Sequence, residues 1–211
     1  MTNVDEDRVL DTKFGTISTR ILTRGEVLPA SDAETAVTVL SGSATARGVV
    51  LGHGDGVYGP AELVVTSDRA TLLVLRTRAP AGAVRTWRYA RAENQADGVL
   101  ADTGGFTDMG VRWLATTETV GSADLVVATS TFLPDGEHGL HRHPHADEFF
   151  LVTQGGGEHL SPEGPLRMGV GDLVLVPAGE WHGFRTDGVT TAVYGYLGAG
   201  SLQQAGYELE G

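Results

Sequence analysis

Apolar residues in this chain gather into short, β-branched segments: Thr16–Leu22, Ala36–Leu40, Ala61–Thr66, Thr71–Arg76, Leu125–Leu133, Glu148–Thr153, Asp172–Val176 and Thr191–Leu197. Several alternate polar with apolar positions, as a strand does when one face is buried. Others are continuous apolar runs, as in strands covered on both faces. Clusters of Gly, Pro, Asp and Ser separate them at a spacing of roughly 8–12 residues. The pattern predicts an all-β fold of antiparallel strands closed into a sandwich or barrel. Helical periodicity is scarce: Ala90–Ala101 and Ser201–Glu210 each have room for a turn or two.

The strands fall into two blocks, about 14–79 and 110–200. Between them, 78–110 reads as a connector with a short helix. Two domains are expected, 1–100 and 101–211, each close to the size at which a β domain folds alone. A short internal repeat links them. Gly54-Asp-Gly-Val-Tyr-Gly-Pro60 and Gly171-Asp-Leu-Val-Leu-Val-Pro177 both place Pro five residues after the Asp of a Gly-Asp pair.

Composition narrows the function. The chain has 27 acids against 15 bases, a formal net charge of −12, which argues against a nucleic-acid partner. The second half carries most of that charge, with only four bases after residue 105. Arg76, Arg78, Arg85, Arg88 and Arg91 are expected to form a solvated edge facing it. Without cysteine there can be no disulfide, thiolate metal site or cysteine nucleophile. The opening Met-Thr-Asn-Val-Asp-Glu-Asp has no secretory pattern, and no apolar run approaches a membrane span. The expectation is a cytoplasmic protein with no membrane partner.

Candidate chemistry concentrates in the second block. Five of the seven histidines lie between 138 and 159. His141 and His143 are two apart, so on a strand they share a face, and neutral imidazoles on one face suit a transition metal. Glu148 would face away on an unbroken strand. A turn at Pro144 resets the parity, so that Glu148, Phe150 and Val152 face the same interior. Further on, Pro177-x-Gly179 reads as a tight turn that aims His182 into that interior, with Phe184 and Thr186 following on its face.

These residues resemble the two motifs of the cupin superfamily. His141-x-His143, four residues, Glu148, six residues and Gly155 correspond to the first. Gly171, five residues, Pro177-x-Gly179, two residues and His182 correspond to the second. The resemblance covers about residues 125–198. It implies a small β-barrel in which His141, His143, Glu148 and His182 bind one divalent metal, Fe(II) as first choice, with Zn, Mn, Ni or Cu as alternatives. Two positions depart from the usual motifs: Gly136 is one residue closer to the leading His, and Thr186 stands where Asn is common. The first block, whose only histidine is His53, is expected to be a metal-free copy. The chain as a whole then reads as two tandem cupin-type barrels, with a homodimer as a further expectation.

Three imidazoles and a carboxylate leave up to two open positions on a six-coordinate ion. The resemblance implies activities from dioxygenases to isomerases, cyclases, decarboxylases and lyases, besides non-catalytic ligand binders. The first expectation is an oxygenase acting on a small organic substrate, aromatic or a secondary metabolite; a redox-neutral enzyme is the alternative. Pocket candidates are Phe150, Trp181, Phe184, Thr186, Tyr194 and Tyr196, with no catalytic residue assigned. His138 and His159 are expected at the surface, His145 exposed or behind the ligands, and Glu180 solvated at the rim.

Overall fold

A computed structural model describes residues 2–3 and 6–210, with side chains from Glu6 onward. Residues 1, 4 and 5 of the opening stretch read for a leader lie outside the described residues. The regular structure of the chain is almost entirely antiparallel strand, as its short apolar segments require. The expected connector helix is a single 3-10 turn at Tyr89–Arg91, and the C-terminal one a single α turn at Leu202–Ala205. No helix among the described residues is long and apolar enough to cross a membrane.

The first half forms two sheets. The six-stranded one runs, edge to edge, Arg85–Trp87, Gly56–Tyr58, Ala33–Ser41, Arg69–Pro80, Gly15–Thr23, Arg8–Asp11. The four-stranded one runs Val27–Leu28, Leu63–Val65, Ala44–Ala46, Val49–Leu51. Leu28, Val37, Val39, Leu63, Leu72 and Val74 fill the space between them. The second half is one 11-stranded sheet wrapped around its own core. Its longest strand, Val127–Arg142, pairs at first with Thr190–Leu197 and Phe106–Ala115 and then with His182–Arg185. The strand turns a corner at Leu133–Gly136, where four residues oppose the single Asp108 and both Asp135 and Asp108 have positive φ. A proline is tolerated at such a bulge because no ladder donor is required there. Two short pieces of the first hundred residues, Thr2–Asn3 and Gln95–Ala96, add to this second-half sheet.

The continuous apolar runs have a direct cause. A third core lies between the halves and contains Ile17, Leu73 and Leu75 from the first with Phe149, Leu151, Val193 and Leu197 from the second. Along Asp147–Gln154, Phe150 and Val152 face the second-half core and Phe149 and Leu151 the shared one. Both faces are covered, so no polar alternation survives. At the same junction, the fully buried Glu34 accepts from the Tyr58 hydroxyl at 2.7 Å and the Thr77 hydroxyl at 2.9 Å within its own half. It also accepts the Ala123 and Asp124 N–H groups of the other half at 2.7 and 3.1 Å.

The Gly-Asp repeat marks the same turn twice. Gly54 (φ 77°) and Gly171 (φ 88°) are left-handed, a conformation that costs glycine little. The following Asp accepts the N–H three residues back in each case, Gly52 to Asp55 and Gly169 to Asp172. Each glycine N–H reaches an equivalent strand position, Val39 or Val152. The register continues: Ala36, Val37 and Thr38 pair with Tyr58, Val57 and Gly56 just as Phe149, Phe150 and Leu151 pair with Leu175, Val174 and Leu173. In this correspondence Thr35 takes the place of Glu148. The expected arginine edge is different in one respect: Arg88 pairs with Asp55 of its own half at 2.7 Å and not with the acidic second half.

Candidate metal centre

Three elements bring the four candidate ligands together. His141 and His143 end the long Val127–Arg142 strand and the turn after it. Glu148 begins the next strand once the turn through Pro144 has reset its parity. His182 opens its strand after the Pro177–Gly179 turn, in which left-handed Gly179 (φ 87°) donates its N–H to the His143 carbonyl at 2.9 Å. That bond fixes the second motif against the first. One potential ligand atom from each of the four residues lies within 4.8 Å of the others, and all four side chains are buried.

The hydrogen bonds set which nitrogen faces inward. Nδ1–H of His141 donates to the Gly139 carbonyl (2.8 Å), that of His143 to Gly206 (2.6 Å) and that of His182 to Glu180 (3.0 Å). Each Nε2 then carries a lone pair. Among the described residues these three Nε2 atoms and Glu148 Oε2 are buried without a hydrogen-bond partner. Yet Glu148 Oε2 lies 3.0 Å from His143 Nε2 and 3.2 Å from His182 Nε2. Lone pairs facing a carboxylate oxygen at that distance repel unless a cation stands between them, a metal ion or, in the metal-free protein, a proton on an imidazole. Four converging donors of nitrogen and oxygen type therefore fit a divalent transition metal.

The electrostatics agree. Burial alone would raise the Glu148 pKa, but His182 and His143 outweigh it and hold the carboxylate well below its usual range. Burial would lower His182, and Glu148 outweighs it to raise that group. Burial, reinforced by the neighbouring imidazoles, pushes His141 well down, so it stays neutral and able to ligate.

Beside the ligands lies a cavity walled by Met109, Phe132, Phe150, Phe184 and Tyr194, with Ser130, His138 and His159 as its further polar members. Of the pocket candidates, Phe150, Phe184 and Tyr194 line it. Trp181 does not: it sits outside, its ring covered by the Arg142 guanidinium at 4.9 Å, because the residue before an inward strand position points outward. Thr186 is buried but committed to the backbone, its hydroxyl donating to the Gly156 carbonyl at 2.7 Å. Tyr196 packs behind the site, 4.6 Å from the His143 ring. His145 and Glu180 are exposed.

The surface expectation for His138 and His159 is overturned. Both are in register with Phe184 from opposite sides, so all three share its inward face. His138 stacks on His141 with centroids 3.8 Å apart, and its Nε2–H donates to Tyr207 Oη at 2.9 Å. Tyr207 in turn donates to the Gly104 carbonyl. Burial pushes His138 down to about 3 and His159 to about 4. Parity could have placed His138, which is three residues from His141, only if the shifted register between them had been known. Tyr207 gave no sequence signal at all.

The lowered His159 value predicts an acid-side weakness. The unfolded imidazole takes up a proton below about 6.5, whereas the folded one stays neutral to about 4. Metal-free protein should therefore lose stability as the pH falls from about 6.5 to 4, and the loss should be smaller in His159→Leu. Urea melts across that range check this; identical pH slopes in the two proteins would count against it.

The second half is an antiparallel sheet wrapped around its own core, with a cluster of three histidines and one glutamate that could hold a metal ion. Residues 128–196 match the family model described as "Cupin domain". No curated protein sequence matches the chain. Among solved structures, a variant of salicylate 1,2-dioxygenase from Pseudoaminobacter salicylatoxidans superposes with a TM-score of 0.70 at 11% identity, covering 98% of this chain and 80% of that one. Oxalate decarboxylase of Bacillus subtilis, studied for its Mn(II) centres, gives 0.66 at 13%, covering 94% and 77%. A "Cupin 2 conserved barrel domain protein" from Leptotrichia buccalis gives 0.61 at 15%, covering 92% and 89%. At these identities the likeness is one of fold.

Proposed function

We propose that this protein is a metal-dependent cupin enzyme, an oxygenase acting on a small organic substrate. One observation carries the reading: three imidazoles, each fixed through Nδ1 to a backbone carbonyl, turn their Nε2 lone pairs and one carboxylate into a single buried point that borders a cavity. A divalent ion held by His141, His143, Glu148 and His182 would supply Lewis acidity and, if redox-active, open positions at which substrate and dioxygen meet. The protein's part is positioning and exclusion of water. Met109, Phe132, Phe150 and Phe184 give the site a dry wall, and the His138–Tyr207–Gly104 chain holds the face of His141. A salicylate dioxygenase among proteins of this fold is consistent with the reading.

A redox-neutral reaction is the second reading, favoured by His159. This neutral imidazole lines the cavity and could hold or move a proton at Nε2. Oxygen uptake by Fe(II)-loaded protein over a panel of small oxygenated substrates separates the two. Turnover that consumes one dioxygen per substrate is expected, and equal turnover under strict anaerobiosis would overturn the oxygenase.

We further read the first half as a metal-free barrel of the same type. The shared register supports this, with Thr35 at the position of Glu148 and the apolar Leu28, Leu63 and Ala46 filling its interior.

A further inference from the structure

Two polar atoms in the cavity are left over once the four ligands are assigned. Ser130 Oγ and His159 Nε2 are buried, on residues 2% and 8% exposed, and have no hydrogen-bond partner among the described residues. Leaving such groups buried and unpaired is unfavourable, so the fold gains nothing from them. The first half shows what the same scaffold does without them. Its row in the equivalent register reads Leu28, Leu63, Ala46, all buried and apolar, where the second half reads His138, Phe184, His159. A histidine at 159 is thus no requirement of the barrel.

Charge and size limit what these atoms can hold. No lysine or arginine lines the cavity. A divalent ion with one carboxylate and three neutral imidazoles leaves a single buried positive charge, which one negative charge on a ligand neutralises. A second would stay uncompensated in a site of low polarity. The cavity holds about 350 Å³ of space free of protein atoms, so only a small ligand fits there beside an ion.

We infer that the cavity receives a small oxygenated ligand carrying at most one negative charge, its charged oxygen toward the four-ligand centre and its outer polar atom hydrogen-bonded by Ser130 Oγ and His159 Nε2. This rests on the metal-centre reading and names its substrate class: α-hydroxy acids and hydroxy ketones are favoured, and dianions of the same size are disfavoured.

The test titrates glycolate and oxalate into full-length protein loaded with Co(II), following the cobalt visible spectrum, after the metal stoichiometry has been measured. Glycolate should bind at least about tenfold more tightly than oxalate, reversing the order that the greater charge of oxalate gives in water. Ser130→Ala and His159→Leu should each weaken glycolate about tenfold, the size of one lost hydrogen bond, with cobalt content unchanged. His159→Gln, which keeps a hydrogen-bonding group, should recover part of the loss. Wild-type protein that takes up no cobalt would overturn the metal centre and this inference with it. Cobalt at one per chain, with oxalate binding as tightly as glycolate or with glycolate affinity unchanged in either the Ala or the Leu variant, would overturn this inference alone.

Discussion

Glu148→Ala should leave a folded protein that no longer binds a divalent transition metal tightly. Glu148 is the only anion among the four converging side chains, and its Oε2 is within 3.2 Å of two of the three imidazole nitrogens. Without it, three neutral rings would have to hold a doubly charged ion in a buried site with no compensating charge. Losing a residue that merely orients a ligand costs roughly 10–100-fold in metal affinity. Losing the anionic ligand should exceed the upper end of that range. The fold should survive, because neighbouring Phe149 and Leu151 remain in the core between the halves and Phe150 and Val152 in the barrel core. Competition with a chromophoric chelator, alongside circular dichroism, measures both. Wild-type affinity in the variant would remove Glu148 from the site.

The second large effect is predicted far from the metal. Glu34→Ala should destabilise the protein by about 3–5 kcal/mol, because the buried Tyr58 and Thr77 hydroxyls lose a shared acceptor at roughly 1–3 kcal/mol each. The carboxylate is fully buried and gathers two hydroxyl donors from its own half with two backbone N–H groups from the other. Its removal leaves the part-buried Ala123 and Asp124 N–H groups without the acceptor that links them to the first half. For a chain of this length that amounts to a fall in Tm on the order of 10 °C. Glu34→Gln retains one acceptor oxygen and should lose less. Asp147 makes the reciprocal contact, accepting the Lys13 N–H of the first half at 3.2 Å, so Asp147→Ala should destabilise in the same direction. Calorimetry of metal-free protein checks the ranking; a loss below about 1 kcal/mol in Glu34→Ala would show that this carboxylate does not bind the halves together.

How much of this could be read from the chain follows from what each signal depends on. The strands were legible because alternation and turn residues are local. The ligand set was legible because its spacing is local too: one residue separates the first pair, and a Pro-x-Gly turn precedes His182. The double burial of Glu148–Thr153 was visible as an unbroken apolar run, but its cause was not, since the second covering surface comes from Ile17, Leu73 and Leu75, more than seventy residues away. The same limit hid the inward turn of His138 and His159. Their direction depends on a shifted register and on pairing with Phe184, neither of which leaves a mark nearby in sequence. Trp181 failed for a simpler reason: aromatic character suggested a pocket, while strand parity, applied strictly from His182, already pointed it outward. Glu34 looked like one acid among many, because nothing adjacent announces that two hydroxyls and two backbone N–H groups will meet it at a junction.

X-ray absorption at the metal edge, on protein purified without a metal-binding tag and reloaded with one equivalent of metal, tests the central claim most directly. The account predicts three imidazole scatterers and one carboxylate oxygen at about 2.0–2.2 Å, and the loss of one imidazole in His182→Ala. A first shell of oxygen alone, or a spectrum unchanged by that substitution, would contradict it.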